Sequence, residues 1–281
     1  MDLTWHRCDQ GFVLATRGVF PYDSTLSAAA NNARFRSIEP GIDTLPSSFS
    51  LPRHRHLRAY ATVVLAGAFE ESGYAGRIRA TAGDVLLHAG LDCHANEMVS
   101  GGVKLIRLDW ADTEGPGGLY HLDEIDALAR TAEKDVVEAK LLLEHLLLTK
   151  RTPSPGQKND WPDLLLLDLC KNALTEIGSW AQVNGLARET VSRGFVAAYG
   201  ITPSVIRAEL RTRSAWLRIT HGSDCLCRIA ADTGFADQAH MTRWICRITG
   251  ATPAAWRRNA PDLFNRPLCG HTTASLRAQQ A

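Results

Sequence analysis

No run of 18 apolar residues occurs in the 281-residue sequence, so no segment is expected to cross a membrane as a helix. The opening M-D-L-T-W-H-R has neither the basic start nor the apolar stretch of a secretory signal. Cysteines are few and irregular. Cys8, Cys93, Cys170, Cys225, Cys227, Cys246 and Cys269 form an odd, scattered set, which excludes a disulfide framework. A reducing cytoplasm is the expected location. Cys225 and Cys227 invite a redox or metal reading. Side chains at i and i+2 of a helix point about 200° apart, however, so buried structural thiols are expected instead. Net charge is nearly absent, at +1, but it is unevenly distributed. Residues 161–260 carry 12 Lys and Arg against 8 Asp and Glu, and the remainder carries 19 against 22. A mildly basic C-terminal part beside a mildly acidic remainder suits a nucleic-acid reader joined to another domain.

What is present is a duplication. Residues 184–207 read N-G-L-A-R-E-T-V-S-R-G-F-V-A-A-Y-G-I-T-P-S-V-I-R. Residues 233–257 read T-G-F-A-D-Q-A-H-M-T-R-W-I-C-R-I-T-G-A-T-P-A-A-W-R. An offset of fifty superimposes Arg193 on Arg243, Gly200 on Gly250, Thr202-Pro203 on Thr252-Pro253 and Arg207 on Arg257. In the second copy, Leu226, Ile229 and Ala230 make one apolar helix face, Gly234 ends that helix and Phe235 anchors the turn. Met241, Trp244, Ile245 and Ile248 follow as the inner stripe of a second helix. That leaves Asp237, Gln238, Ala239, Thr242 and Arg243 facing out. In the first copy, Trp180 and Val183 precede Gly185, and Val191, Phe195 and Ala198 face in. Arg188, Glu189, Ser192 and Arg193 face out. Each Thr-Pro pair opens a further helix as N-cap and first turn. Each copy therefore reads as a helix-turn-helix, and two in tandem would present two recognition helices to one DNA site.

Over roughly residues 160–258, this arrangement resembles the DNA-binding module of the AraC family of bacterial transcription regulators. The G-F-x-D-Q-x-H-x-x-R run, the T-P after each unit and the R-T-R-S-A-W-L-R from Arg211 to Arg218 carry the resemblance. It implies double-stranded DNA as partner, no enzymatic activity, and RNA polymerase as a further partner if the chain is an activator. On the outer faces, Arg193 and Arg243 suit guanine, Gln238 adenine, Glu189 cytosine and Ala239 the thymine methyl. Arg188, Arg211, Arg213, Arg218 and Arg258 suit phosphates. Ala187 and Ala236 stand where the family often has a Ser cap, which costs each recognition helix about 1 kcal/mol. Asp237 offsets part of this at the second helix through the helix dipole.

The first 118 residues read as short strands: Ala33–Ser37, Tyr60–Phe69, Arg77–Ala80, Val85–His88 and Val103–Leu108. Within them, His54-Arg55-His56, the Gly83-Asp84 turn, Gly90 and His94 resemble the two motifs of the cupin barrel. The resemblance implies a pocket of His54, His56 and His94 holding Zn²⁺ or a similar divalent metal, or a small-molecule effector. H-x-H on a strand puts both imidazoles on one face, which suits a metal. The family's Glu falls at Tyr60, so the carboxylate is missing. His88 and Cys93 lie near, but Cys93 should point away from its neighbour His94.

Residues 123–130 and 132–148 lack Gly and Pro and read as helices. The second is apolar almost all round, so it either packs on the sheet domain or pairs two copies of the chain. Residues 150–160 read as a linker, and Asp160-Trp161-Pro162 opens a helix. The expected fold is α+β and multidomain. A cupin-like β-barrel sensor spans 1–118, and a helical connector with linker spans 119–158. An all-α tandem helix-turn-helix domain spans 159–260, and a tail covers 261–281. The function this predicts is a homodimeric, effector-controlled transcription regulator. The competing reading is a metal-dependent cupin enzyme with a DNA-binding appendage.

Overall fold

The computed structural model describes residues 38–47, 49–111, 117–149, 152–153 and 160–264. The expected strand Ala33–Ser37, the tail beyond 264, most of the linker, and Cys8 and Cys269 lie outside these.

The N-terminal part is one antiparallel sheet. Its strands are β1 (Gly41–Leu45), β2 (Ser50–Arg55), β3 (Tyr60–Gly73), β4 (Gly76–Thr81), β5 (Asp84–His88), β6 (Cys93–Asp109), β7 (Gly118–His121) and β8 (Thr152–Pro153). They run in the order β1-β6-β3-β5-β7-β8, with β2 also on β6 and β4 also on β3. The long strands β3 and β6 are the spine, paired from Tyr60↔Asp109 to Ser72↔Ala95. Where they bend, Gly67 (φ +80°) lies so close to Gly102 that a Cβ would meet its carbonyl oxygen at 2.1 Å. The sheet corrects the expected barrel. Closure requires the edge strands to pair, and among the described residues β1 pairs only with β6 and β8 only with β7.

Two helices follow, α1 (Asp126–Ala132) and α2 (Val136–Thr149). The sequence placed their break at residue 131. The structure moves it to 133–135, because the Asp135 carboxylate accepts from the Val137 and Glu138 amides at 2.7 and 3.1 Å and starts α2 there. Leu128, Ala132, Ala139, Leu143, Leu146 and Leu147 cover one sheet face of Ala61, Val63, Val85, Ile106 and Leu108. The opposite side of α2 leaves Val137, Leu141 and Leu148 at 69, 61 and 83% exposure.

The C-terminal part is helical: α3 (Trp161–Lys171), α4 (Ile177–Val183), α5 (Arg188–Tyr199), α6 (Pro203–His221), α7 (Leu226–Asp232), α8 (Gln238–Thr249) and α9 (Pro253–Phe264). It holds two cores. Leu165, Leu166, Leu169, Trp180, Val191, Phe195 and Tyr199 pack with Ile206 in the first. Trp216, Ile219, Ile229, Met241, Ile245 and Trp256 form the second, and Leu91 from the sheet part inserts into it. The long helix α6 joins the two, as expected for the segment between the duplicated units.

Candidate functional site

The two copies match in backbone detail. Helices α5 and α8 begin fifty residues apart, but α4 and α7 begin only 49 apart. The second turn is therefore one residue longer. Gly185 (φ +67°) and Gly234 (φ +77°) take the left-handed conformation in the turns. The Leu186 amide bonds the Ala181 carbonyl, and the Phe235 amide bonds the Ala230 carbonyl, both at 2.9 Å. Gly200 and Gly250 end the recognition helices at φ +71° and +75°. The duplicated arginines have the same structural job. Arg207 donates to the Thr175 carbonyl and Arg257 to the Asp224 carbonyl, tying α6 and α9 to the loops before α4 and α7.

The extra turn residue corrects the cap expectation. The residue matching Ala187 is Asp237, not Ala236. Ala187 caps α5 with no side-chain bond, whereas the Asp237 carboxylate accepts from the His240 amide at 2.6 Å. The second recognition helix is therefore capped, and only the first forgoes about 1 kcal/mol.

Arg188, Glu189, Ser192 and Arg193 are exposed on α5, and Gln238, Ala239 and Arg243 on α8. Thr242 is half-buried, and Asp237 is exposed but engaged as a cap. Positions 189, 192 and 193 share one face of α5, as 239, 242 and 243 share one face of α8. The basic residues of α6 are placed differently from the expectation. Arg213 is 6% exposed and donates to the Gly90 carbonyl at 2.8 Å, so it is withdrawn from any phosphate. Arg211 donates to the Ala173 and Gly234 carbonyls. Arg218 pairs with Asp224 at 2.6 Å and Asp232 at 2.9 Å. A buried or carbonyl-bonded guanidinium cannot be told from a free one by sequence spacing.

In the sheet part, His54, His56 and His94 do converge. Their ring centroids lie 4.5 to 5.3 Å apart, and all three are buried. Tyr60 stacks on His88 at 4.2 Å, and its hydroxyl is 3.2 Å from His94 Nε2. A carboxylate does reach the cluster: Glu71, far along β3. Glu71 and Asp92 flank His88 at 3.8 and 3.5 Å. Sequence could not find Glu71, because β3 outruns the motif spacing and folds it back over the pocket. Two ligand sets result, His54/His56/His94 and Glu71/His88/His94, each with donor atoms within 4.8 Å of one another. Burial, then His88, His54 and His56, hold His94 well below the usual imidazole range, so it is neutral. Burial opposes charge on His88, but Glu71 and Asp92 overcome it and raise that imidazole. His94 Nδ1 is buried with no hydrogen-bond partner. A neutral His94 with an unpaired ring nitrogen, further imidazoles and a carboxylate suit a divalent metal.

The reverse side of β2 faces the helices. Arg55, between the two histidines, is fully buried and lies 2.8 Å from Glu209 of α6. Arg53 reaches Glu209 at 2.7 Å, and the Tyr74 hydroxyl donates to it at 2.9 Å. Burial alone would raise the Glu209 carboxyl, but Arg55 and Arg53 hold it below the ordinary range. Arg55 also donates to the Leu91 carbonyl at 2.6 Å. Leu91 takes φ +61°, an unusual conformation for its residue type, as it enters the helical core. Cys93 points away from the pocket as expected, and burial pushes its thiol up to about 11.

The chain matches the family described as a helix-turn-helix domain over residues 180–259. No curated protein matches it. Among solved structures it is similar to ToxT from Vibrio cholerae with unsaturated fatty acid bound, at 9% identity over 77% of this chain and 93% of that one (TM-score 0.35). It is also similar to the DNA-binding domain of AdpA in complex with a target DNA, at 17% identity over 39% and 100% (TM-score 0.36). The C-terminal domain of the response regulator YesN from Fusobacterium nucleatum shares 18% identity over 34% and 94% (TM-score 0.32). These structural likenesses are weak, whereas the family match coincides with the duplicated units. Residues 180–259 are a helix-turn-helix domain of the AraC type.

Proposed function

We propose that the chain is a sequence-specific DNA-binding transcription regulator, responsive to a divalent metal or small ligand at the histidine cluster. One observation carries the DNA reading. Two recognition helices, matched in length, C-terminal glycine and fifty-residue spacing, each present an exposed face bearing an arginine at the same position. Arg193 and Arg243 would approach guanine, Gln238 adenine, and Arg188 and Arg258 phosphates. The full-length protein should enrich one motif from a randomised duplex library, with affinity falling steeply as salt rises. Failure to bind any duplex at low salt would end this reading.

The sheet part is the proposed sensor, with domains at 1–118, 119–158 and 159–260 and a tail beyond. In sequence order, α2 and the linker join the sensor to the reader. A shorter route supports the proposal: the end of β2 and the residue after it send His54 and His56 to the pocket and Arg55 to the helices. The segment from His88 to His94 likewise has ligands at its ends and Leu91 in the helical core. Drawing the imidazoles onto a metal would shift both. Zn²⁺-loaded protein is expected to retain metal after desalting, and His54→Ala with His94→Ala to lose it. DNA affinity should differ between stripped and loaded wild type by roughly fivefold or more. Wild-type protein that retains no Zn²⁺ would retire the metal.

A homodimer is part of the proposal. Val137, Leu141 and Leu148 repeat along the uncovered side of α2, and a second copy of that side would cover them. Leu146 packs on the sheet and so does not belong to the uncovered face. Leu141→Glu with Leu148→Glu is expected to shift sedimentation to the monomer while leaving the fold intact. Wild-type protein that sediments as a monomer at tens of micromolar would contradict it.

A further inference from the structure

Cys225 and Cys227 are both exposed, and their sulfurs lie 3.1 Å apart. This overturns the expectation of two buried thiols pointing opposite ways. The angular argument holds only when both residues are helical. Cys225 is the N-cap of α7, with extended backbone (φ −64°, ψ 145°), so its side chain folds forward over the first turn and meets Cys227. The described thiols elsewhere differ: Cys93 and Cys246 are buried and Cys170 is half-buried. Burial pushes Cys93 up to about 11 and Cys170 up to about 12, so neither is a ready nucleophile.

The pair sits at a joint. Asp224, the residue before it, gives its carbonyl to Arg257 at 2.7 Å and its carboxylate to Arg218 at 2.6 Å. These contacts tie the start of the second helix-turn-helix to α6 and α9. Between the cysteines, Leu226 packs against the second helical core. Closing the sulfurs to bonding distance pulls on both the tied loop and the packed leucine.

We propose that Cys225 and Cys227 form a reversible dithiol–disulfide couple, oxidised by hydroperoxides, that weakens DNA binding through the second helix-turn-helix unit. The functional half rests on the DNA-binding reading above; the thiol chemistry does not. Cys225 is the attacking sulfur. A hydrogen bond from the Cys227 thiol, then one from the Arg228 amide, hold it below the ordinary thiol range, while Cys227 is raised. The Cys225 thiolate attacks the peroxide, an S–O bond forms and the O–O bond breaks. The departing oxygen takes a proton and leaves as water or an alcohol. Cys227 then attacks the Cys225 sulfur, forming the S–S bond, and the hydroxyl leaves as water with the proton of Cys227. The two sulfurs lose two electrons and the peroxide gains them.

The test uses full-length protein, hydrogen peroxide and a duplex selected by the reduced protein. Stoichiometric peroxide should convert the peptide containing both cysteines to a form two hydrogen atoms lighter and closed to alkylation, with dithiothreitol restoring it. Cys227→Ser should stop at a sulfenic acid on Cys225 that dimedone traps. Affinity for the selected duplex should fall roughly tenfold on oxidation, and the Cys225→Ser, Cys227→Ser double variant should not respond. Two alkylatable thiols after peroxide would overturn the couple. A disulfide with unchanged affinity would overturn the regulatory half. Reduced protein that binds no DNA would fail the DNA reading instead, and the peptide mass would still decide the couple.

Discussion

Glu209→Ala is expected to destabilise the protein by about 3–5 kcal/mol, because it leaves a buried cation without its partner. Arg55 is fully buried, and its guanidinium has Glu209 as its carboxylate partner at 2.8 Å. Removing the carboxylate also strands the Tyr74 hydroxyl, which donates to it, and leaves Arg53 a weaker, more exposed charge. Glu209→Gln keeps the shape and one acceptor and should cost less. The denaturant midpoint of each variant measures the loss. A change under about 1 kcal/mol would mean that water reaches Arg55 and that the junction is not closed. The pH dependence has a definite sign. The Glu209 carboxyl is lowered in the folded state. Its contribution is therefore complete above the unfolded value of about 4.3 and is lost as pH falls through the lower folded value. In Glu209→Gln that acid limb should flatten.

Arg193→Ala with Arg243→Ala should abolish base selection at the two positions these arginines read, while leaving most random-duplex binding. Each exposed arginine, if bidentate to guanine, contributes about 1–3 kcal/mol of discrimination. The two lie on separate helices, one in each unit, so their losses should add. The expected readout is a flat base preference at both half-positions in library selection, with the salt dependence largely retained. Arg258→Ala is the contrast. It should weaken selected and random duplexes alike and reduce the salt slope. A double arginine variant that still selects the wild-type motif would move the reading face elsewhere on α5 and α8.

The duplicated module was legible because its signals are local. Gly200 and Gly250 mark termini that need a left-handed residue, and Thr202-Pro203 and Thr252-Pro253 mark starts. The apolar stripes of α5 and α8 have helical period, so the outward faces followed by subtraction. The pocket was legible only as far as H-x-H and His94. Glu71 entered it through the length of β3, which no local pattern encodes. The cap at Asp237 and the Cys225–Cys227 contact were missed for one reason: both depend on where α7 and α8 begin. A shift of one residue there decides whether a side chain caps, protrudes or folds back.

Composition and period alone thus determined that this chain has a β-rich part, an apolar connector helix and two helix-turn-helix units with arginines facing out. The tertiary structure decided what those units are joined to. It left the sheet unclosed, buried Arg213 against Gly90, and placed Leu91 in the second helical core. It also put Arg55 and Glu209 together across 154 residues of chain. Periodicity reports which side of an element avoids water, but not which other element covers it. A charged side chain reads the same in sequence whether it meets solvent, phosphate or a buried carboxylate, so only packing assigns its partner.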